Sequence, residues 1–275
     1  MNHKQITIIK ATTGWRAVNM KELIHYRDLL WFLTVRGIKA KYAQSILGVS
    51  WAVIQPLFST LVFTIIFGNL ARIDSNGVPY FLFSLVGLVP WTFFANTLTD
   101  SSSSLITNAA MINKVYFPRL VLPLSAIFSK GLDFLIGFVL LIIFLVVYQF
   151  TPSAEIILLP WLILVLLMTS LGIGMILSAM AVQYRDVKHA MTFAVQLLMY
   201  AAPVVYPTTN VPEQYQWAYA LNPMVGVIEG FRAIFLHTIS FPYQWVLIGT
   251  VISVSLFVFG LFYFRKMERV FADVA

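Results

Sequence analysis

Long apolar stretches alternate with short polar segments along most of the chain. A helix needs roughly 20 residues to cross the hydrocarbon core of a membrane, and each stretch comes close to that length. We place six spans at 49–70, 80–104, 120–149, 156–182, 190–207 and 244–264. This pattern predicts an all-α, polytopic membrane protein with six transmembrane helices, whose membrane domain covers residues 49–264.

A different pattern precedes the first span, between residues 20 and 42. Apolar side chains at Leu23, Tyr26, Leu30 and Leu33 recur at helical spacing, and basic side chains lie on the more polar side. The pattern predicts an amphipathic helix lying in the membrane interface. Two roles stay open for this helix: an anchor on the membrane surface, or an element of docking and substrate entrance.

The segment between the last two spans is too apolar for a solvated loop. It holds two helix-like pieces, near 212–220 and 224–237, separated by the pattern-breaking pair Asn222-Pro223. The pieces are too short to cross the membrane twice, so we expect short re-entrant or interfacial helices. Glu229 and Arg232 are three residues apart in the second piece, a spacing at which they can pair.

Composition supports the membrane assignment. The chain has 60% hydrophobic residues, 11% charged residues and a mean hydropathy of +0.84. Soluble domains contain about 25% charged residues. Cysteine is absent, which excludes disulfides and thiolate metal sites on this chain.

The basic residues predict which side of the membrane each loop faces. Only Arg72 and Arg232 lie in loops of one side. Four segments of the other side hold 15 of the 18 lysines and arginines: the N-terminal segment 1–48, the loops 105–119 and 183–189, and the tail 265–275. By the positive-inside rule, we expect both termini in the cytoplasm, which agrees with an even number of spans.

Some polar residues lie inside the predicted spans. Asp100 and the four serines after it are costly against lipid, so they are expected to face protein or water. Lys130 and Asp133 are three apart, and we interpret them as a self-neutralising pair or as a snorkelling lysine, with a lumen-facing role as the alternative. Small residues at a spacing of four in the fourth span predict close helix packing: Ser170, Gly174 and Ser178.

The sequence contains no arrangement typical of catalysis. The four histidines are scattered, and paired acids, metal-ligand spacings, a nucleophile elbow and a Walker-type nucleotide loop are absent. We therefore expect no catalytic residue, no metal and no cofactor on this chain. A membrane glycosyl- or acyltransferase is the alternative of another class, and such an enzyme needs a catalytic cluster.

Several motifs resemble one known family. They are RGIKAKYAQSILGVSWAVIQP, GLVPWTFFANTLTDSSSSLITNAAMINKVYFPRLVLPLS, AVQYRDVKHA, and the pair APVVYP and LNPMVGVIEGFR. Together they resemble the permease of ABC exporters for lipid-linked polysaccharides, in the O-antigen, capsule and teichoic-acid branch of the type-2 ABC exporters. The resemblance covers roughly residues 20–264, in the expected order.

The resemblance implies a homodimer of this chain in the bacterial inner membrane, bound to two copies of a separate subunit that holds ATP and Mg²⁺. A lipid-linked polysaccharide, O-antigen above all, is expected to pass through a channel between the two permeases. Membrane lipids are the other expected partner, and nucleic acid is not expected. A type-2 permease for a small drug or lipid is the alternative within the same fold.

The resemblance and the residue chemistry together assign candidate sites along this path. Cationic and tyrosine side chains suit a diphosphate-linked sugar at the substrate entrance: Lys39, Lys41, Tyr42, Gly48 and Trp51. Polar and aromatic side chains are candidates for lining the channel: Gln55, Trp91, Phe93, Phe94 and Asp100. Aromatic residues also serve as core or lipid-belt residues, so that alternative stays open for each of them.

Two further sites lie at opposite ends of the path. The two short charged cytoplasmic loops are the candidate contacts with the ATPase: Asn113, Lys114, Tyr116, Arg119, Tyr184, Arg185 and Asp186. The non-cytoplasmic segment 206–237 is long enough to form a plug, with a purely structural cap as the alternative. The candidate outer-gate residues are Tyr206, Pro207, Pro223, Glu229 and Arg232.

Overall fold

A computed structural model of the protein describes residues 20–43, 47–184 and 186–268. All regular elements in these residues are helical, which confirms the all-α fold class. Residues 1–19 of the predicted N-terminal segment 1–48 and residues 269–275 of the predicted tail 265–275 lie outside the described residues. The α-helices are α1 (Met20–His25), α2 (Arg27–Tyr42), α3 (Trp51–Phe63), α4 (Tyr80–Thr107), α5 (Ala109–Ile112), α6 (Val121–Ser129), α7 (Gly131–Val147), α8 (Leu159–Gln183), α9 (Val187–Tyr200), α10 (Glu213–Ala220), α11 (Pro223–Leu236) and α12 (Tyr243–Met267).

Shorter helical segments extend or precede some of these helices. The π-helical segment Thr64–Leu70 continues α3. Three short 3-10 turns precede α3, α8 and α10: Gly48–Ser50, Ala154–Leu158 and Thr208–Asn210.

Five helical segments among the described residues are long and apolar enough to cross a membrane. They correspond to five of the six predicted spans and agree with them within a few residues at each end. The protein is therefore a multi-pass membrane protein. The segments are Gly48–Leu70, Tyr80–Thr107, Val121–Val147, Ala154–Gln183 and Tyr243–Met267.

The predicted span 190–207 has a different structure from the other five. Its helix, α9, has 14 residues and is about 21 Å long, less than the ~30 Å of a hydrocarbon core. Turns at residues 201–206 follow it. A membrane crossing by residues 190–207 stays a prediction. This crossing decides whether the two termini lie on the same side of the membrane, because six spans place them on the same side and five place them on opposite sides.

Helix α4 is the central element of the fold. Of its most apolar window, 78% of the residues are buried, while the other four spans bury between 11% and 33%. It contacts α3, α6, α7, α8, α9 and α11. The remaining spans therefore each leave one face open to the surroundings, whereas α4 is enclosed by protein.

Small residues allow α8 to pack closely between two neighbours. A Cβ atom added to Gly174 would lie 3.0 Å from Ser101 Oγ of α4. A Cβ atom added to Gly172 would lie 2.6 Å from the backbone of Leu256 in α12. Ser170 and Ser178 are also buried, so the close packing predicted from the spacing of small residues is confirmed.

The two short helices predicted between the last spans are present as α10 and α11. Their break lies at the predicted place, because Asn222 Oδ1 accepts a hydrogen bond from the Met224 amide at 3.1 Å and Pro223 begins α11. Every residue of α11 is buried. Helices α4, α8 and α12 surround it, and its depth in the membrane stays a prediction.

Two single cysteines test the topology around α9, since the chain has none of its own. We expect Gln214→Cys, in the exposed part of α10, to react with a membrane-impermeant maleimide in intact cells. Lys188→Cys, exposed at the start of α9, should react only after the membrane is opened. The parent chain is the unlabelled control. Labelling of both sites from the same side would show that α9 and the turns after it do not cross.

Candidate functional site

A cluster of charged side chains joins α2 to the transmembrane helices. Lys41 Nζ lies 2.5 Å from Asp133 Oδ2, and the Tyr42 hydroxyl donates a hydrogen bond to Asp133 Oδ1. Lys130, at the junction of α6 and α7, forms an ion pair with Asp100 of α4. We call these five residues the interface charge cluster. It connects α2, α4 and α7 through two ion pairs that each cross between helices.

The interface charge cluster corrects one interpretation of the sequence. Lys130 and Asp133 do not neutralise each other, because each pairs with a residue of another helix. The spacing of three allowed a pair within one helix. Lys41 of α2 pairs with Asp133 instead, and Asp100 of α4 pairs with Lys130.

Helix α2 packs on the body of the protein along one side only. Leu33 is buried there, and Leu23, Tyr26 and Leu30 pack against the same apolar cluster, as the predicted apolar side requires. Gly37 permits a close approach to α6, since a Cβ atom on it would lie 3.1 Å from Ser129 Cβ. Large apolar side chains are exposed elsewhere on α2, at Trp31 and Phe32, and on α1, at Ile24.

Burial and then the hydrogen bond to Asp133 raise the pKa of Tyr42. Its hydroxyl therefore keeps its proton across the physiological pH range and remains a donor. Lys41 and Tyr42 thus present a cation and a neutral donor to one acceptor. This pairing is chemically suited to binding an anion with two neighbouring oxygens.

A polar cavity of about 320 Å³ lies beside the cluster, between α2, α4 and α6. Arg36 and Asp100 contribute charges to its wall. Hydroxyl and amide groups form much of the rest: Ser103, Ser104, Thr107, Asn108, Ser125 and Ser129. Asp100, whose side chain is partly exposed, therefore faces a polar space within one chain rather than lipid. Its place in a channel between two chains stays a prediction.

The remaining entrance residues lie near the end of α2 and around the start of α3. Lys39 is exposed, and so is Trp51 at the start of α3. Gly48 has φ +49°, a left-handed conformation that a residue without a Cβ adopts at little cost. Residues 44–46, which connect α2 to this turn, lie outside the described residues. Gln55 is exposed on α3.

The structure places the predicted aromatic lining inside the protein core. Trp91, Phe93 and Phe94 are 4%, 5% and 4% exposed. Trp91 packs on Phe94, and Phe93 contacts Phe134 edge to face at 5.3 Å between ring centroids. A side chain enclosed by its own chain does not face a passage between two chains. This placement argues against the predicted lining role and assigns the three rings to packing.

The first candidate coupling loop is tied to both ends of the described chain. The Tyr116 hydroxyl donates to Glu22 Oε1 of α1 at 3.2 Å. Arg119 Nη1 donates to the Glu268 carbonyl oxygen, just after α12, at 2.7 Å. Asn113 and Lys114 are exposed after the four-residue helix α5. The sequence offered no signal for Glu22 or Glu268, since their partners lie 94 and 149 residues away.

The second candidate coupling loop is short and accessible. Tyr184 and Asp186 are exposed between α8 and α9. Arg185 lies outside the described residues. These positions leave the loop available for contact with another protein.

A buried ion pair holds the segment predicted to form the outer gate. Arg232 Nη1 donates to Glu229 Oε1 at 3.0 Å, and both side chains are almost completely inaccessible, at 0% and 2% exposed. The predicted pairing is therefore confirmed. Arg232 Nη2 also donates to the Val204 carbonyl at 2.8 Å, and its guanidinium stacks 3.5 Å from the Phe83 ring centroid on α4. Gly87 leaves room for that guanidinium, because a Cβ atom there would lie 3.0 Å from Nη2.

The other predicted gate residues lie around this pair. The Tyr206 hydroxyl donates to the Tyr200 carbonyl at 2.7 Å and accepts from the Tyr219 hydroxyl at 3.1 Å. Pro207 and Pro223 are buried. Tyr206 thus links the end of α9 to α10, and Arg232 links α11 to α4. Phe83, Gly87 and Tyr219 escaped the sequence reasoning because nothing in their local pattern marks a contact with a buried arginine or a distant tyrosine.

Comparison with known proteins finds relatives over almost the whole chain. The family described as "ABC-2 type transporter" matches residues 28–236. The O-antigen export system permease protein RfbA of Klebsiella pneumoniae is 32% identical over 261 residues, which covers 94% of this chain and 99% of that protein. RfbA of Myxococcus xanthus is 32% identical, covering 78% of this chain and 83% of that protein. The polysialic acid transport protein KpsM of Escherichia coli is 26% identical, covering 86% and 92%.

We expect Glu229→Ala to lower the free energy of unfolding by roughly 3–5 kcal/mol, because it leaves the buried Arg232 charge without its carboxylate. The measurement is chemical unfolding of the purified protein in micelles. Asp28→Ala is the matched control, since its ion pair with Arg27 is exposed. The double variant Glu229→Ala/Arg232→Met should lose less stability than Glu229→Ala alone. A loss as small as that of Asp28→Ala would contradict the structural role of the pair.

Proposed function

Because this chain belongs to the ABC-2 type transporter family, we propose that it is the permease subunit of an ATP-driven exporter of a lipid-linked polysaccharide, O-antigen in particular. The observation that carries the proposal is the 32% identity to an O-antigen export permease over 99% of that protein. The cationic and polar groups around Lys41 and Asp100 support it, because a sugar diphosphate needs polar contacts at the edge of the membrane.

The proposed assembly contains two copies of this chain and two ATP-binding subunits that hold ATP and Mg²⁺. Homologues that are permease subunits of exporters support an ATP-binding partner. Apolar side chains on α3 are exposed in the single chain, and they face either lipid or the second copy: Val53, Ile54, Phe58 and Leu61. The proposed location is the bacterial inner membrane, with both termini in the cytoplasm.

Two loops are proposed to transmit force from the ATPase. Asn113 and Lys114 are exposed beside α5, and the adjoining residues Tyr116 and Arg119 are bonded to the regions of α1 and α12. A displacement of this loop is therefore transmitted to α1, to the end of α12 and, through Leu120, to the beginning of α6. Tyr184 and Asp186 are the proposed second contact.

Export in living cells tests the proposed function. We expect deletion of the gene to remove O-antigen from the cell surface while its lipid-linked form accumulates inside, and the wild-type chain to restore export. Lys114→Glu should restore little export, because it reverses the charge of an exposed loop proposed to contact the ATPase. Restoration is measured by surface staining and by extraction of the lipid-linked glycan.

Lys21→Glu supplies the matched control for Lys114→Glu, since it makes the same charge change at an exposed site on α1. Membrane insertion of both variants is followed by immunoblot of the membrane fraction. Unchanged surface glycan after deletion would refute the proposed function. Normal export by Lys114→Glu would instead remove the coupling role of that loop.

The segment from Tyr206 to Arg232 is proposed to close the channel on the outer side. Arg232 supports this role because it holds α11 to α4 through Phe83 and to the chain after α9 through Val204. A closed permease has to exclude ions when no glycan fills it. A tie that joins α11 to α4 and to the chain after α9 keeps such a closure in one arrangement.

We expect Arg232→Lys to make the nucleotide-free complex leak ions in planar bilayers. Lysine keeps the charge and the pairing with Glu229, but it lacks the planar fork that reaches Glu229 and Val204 together. Arg72→Lys, the same substitution at an exposed loop residue, is the control and should stay tight. Equal conductance of the two variants would argue that the segment is a structural cap.

A further inference from the structure

We propose that the Asp133 carboxylate holds the place on Lys41 and Tyr42 that a phosphate of a lipid-linked diphosphate takes when substrate reaches the entrance. Asp133 is then an internal competitor that the arriving substrate displaces. This inference rests on the proposed export function. It adds that Asp133 controls the access of substrate to Lys41, the cation of the proposed entrance.

The geometry of Asp133 matches that of a bound phosphate. Its two oxygens take different donors: Lys41 Nζ lies 2.5 Å from Oδ2, and the Tyr42 hydroxyl donates to Oδ1. A phosphate group also presents neighbouring oxygens, and cationic and hydroxyl donors bind it by the same charge-assisted hydrogen bonds. The two donors are adjacent in sequence at the end of α2, so one anion can engage both.

The ion pair of Lys41 and Asp133 is partly exposed, so another anion can replace the Asp133 carboxylate. The side chains of Lys41 and Asp133 are 33% and 15% exposed, whereas those of Arg232 and Glu229 are 0% and 2% exposed. A partly solvated pair contributes little free energy, so a competing anion of higher charge can replace its carboxylate. The buried pair is unsuited to exchange, because separating it strands two charges without water.

Other charges near the entrance favour an incoming anion. Lys39 is exposed two residues before Lys41, and Arg36 lies in the wall of the neighbouring polar cavity. Lys130 is held by Asp100 and leaves Asp133 to Lys41. Displacement of Asp133 also removes the tie between the end of α2 and α7, while the contact of Gly37 with Ser129 remains. Substrate arrival is thereby linked to the position of the end of α2.

Binding of polyprenyl diphosphate to the complete complex in neutral-lipid nanodiscs tests the inference. We expect Asp133→Asn to lower the Kd about three- to ten-fold, because the amide no longer competes for Lys41. Lys41→Gln should raise the Kd. In the Lys41→Gln background, Asp133→Asn should change nothing. Uncharged polyprenol should bind wild type and Asp133→Asn equally.

Two controls separate competition from structural damage or general charge. Asp28→Asn removes one carboxylate from the exposed side of α2, and its Kd should match wild type. Asp133→Glu keeps the charge, and its Kd should lie closer to wild type than that of Asp133→Asn. Gel filtration and basal ATPase activity report whether each complex is intact.

An unchanged or weaker affinity of Asp133→Asn would overturn the inference, as would an equal gain in the Lys41→Gln background. The export assay distinguishes this failure from failure of the proposed function. Restored export by the wild-type chain together with an unaltered Kd for Asp133→Asn removes the competition alone. Absence of an export defect on deletion removes the function on which it rests.

Discussion

A charge inside an apolar helical body has to be paired, and the structure of this protein depends on that constraint. Separating the fully buried pair of Arg232 and Glu229 costs several kcal/mol because the remaining charge has lost its water, whereas separating a partly solvated pair costs less. Arg232 pairs with Glu229, Lys130 with Asp100, and Asp133 with Lys41. Apolar packing on its own leaves helices free to slide and rotate, whereas each pair requires particular side chains to meet. The pair Lys130–Asp100 ties the start of α7 to α4, the pair Lys41–Asp133 ties α2 to α7, and the contact of Arg232 with Phe83 ties α11 to α4.

The two ends of α4 use this constraint differently. Phe83 lies near one end and contacts the fully buried Arg232, while Asp100 lies about 26 Å further along and belongs to the partly solvated cluster. Charge pairs away from water stay intact, and charge pairs beside water can exchange partners. Near one end, α4 therefore contacts a buried ion pair, and near the other end it belongs to the cluster in which Asp133 of α7 is proposed to exchange with substrate. A transporter needs both kinds, because one boundary has to stay closed while the other admits a charged substrate.

Local sequence patterns predicted the helices well, but they predicted poorly which charged side chains form ion pairs. The break at Asn222-Pro223 and the pair Glu229–Arg232 depend on residues within one short segment, and both were predictable. Lys130 and Asp133 have the same spacing as Glu229 and Arg232, yet both bond elsewhere. A spacing of three says that two side chains can meet. Whether they do depends on charges that arrive on other helices, 30 to 92 residues away in these cases.

Burial was also difficult to predict, because membrane proteins place apolar residues both inside and outside. Trp31 is 71% exposed and Trp91 is 4% exposed, although both lie in aromatic, apolar surroundings in the sequence. In water, hydrophobicity distinguishes the core from the surface. Against lipid it does not, so the sequence carried no local signal that Trp91, Phe93 and Phe94 are buried in the core of the chain. The polar residues were the better guide, since Asp100 and the serines after it do lie at a polar cavity or within helix contacts.

The burial of α11 limits how the segment from Tyr206 to Arg232 can move. Every residue of α11 is buried, and α4, α8 and α12 pack around it. Its displacement would expose the buried Arg232–Glu229 pair and break the contacts of Arg232 with Val204 and Phe83 together. Helix α10 differs, because Tyr215 and Trp217 are 58% and 71% exposed and its tie to the chain after α9 runs through the Tyr206–Tyr219 hydroxyl contact. A movement on this side therefore costs least when α10 moves against a stationary α11, because the turns after α9 are held to Arg232 through Val204.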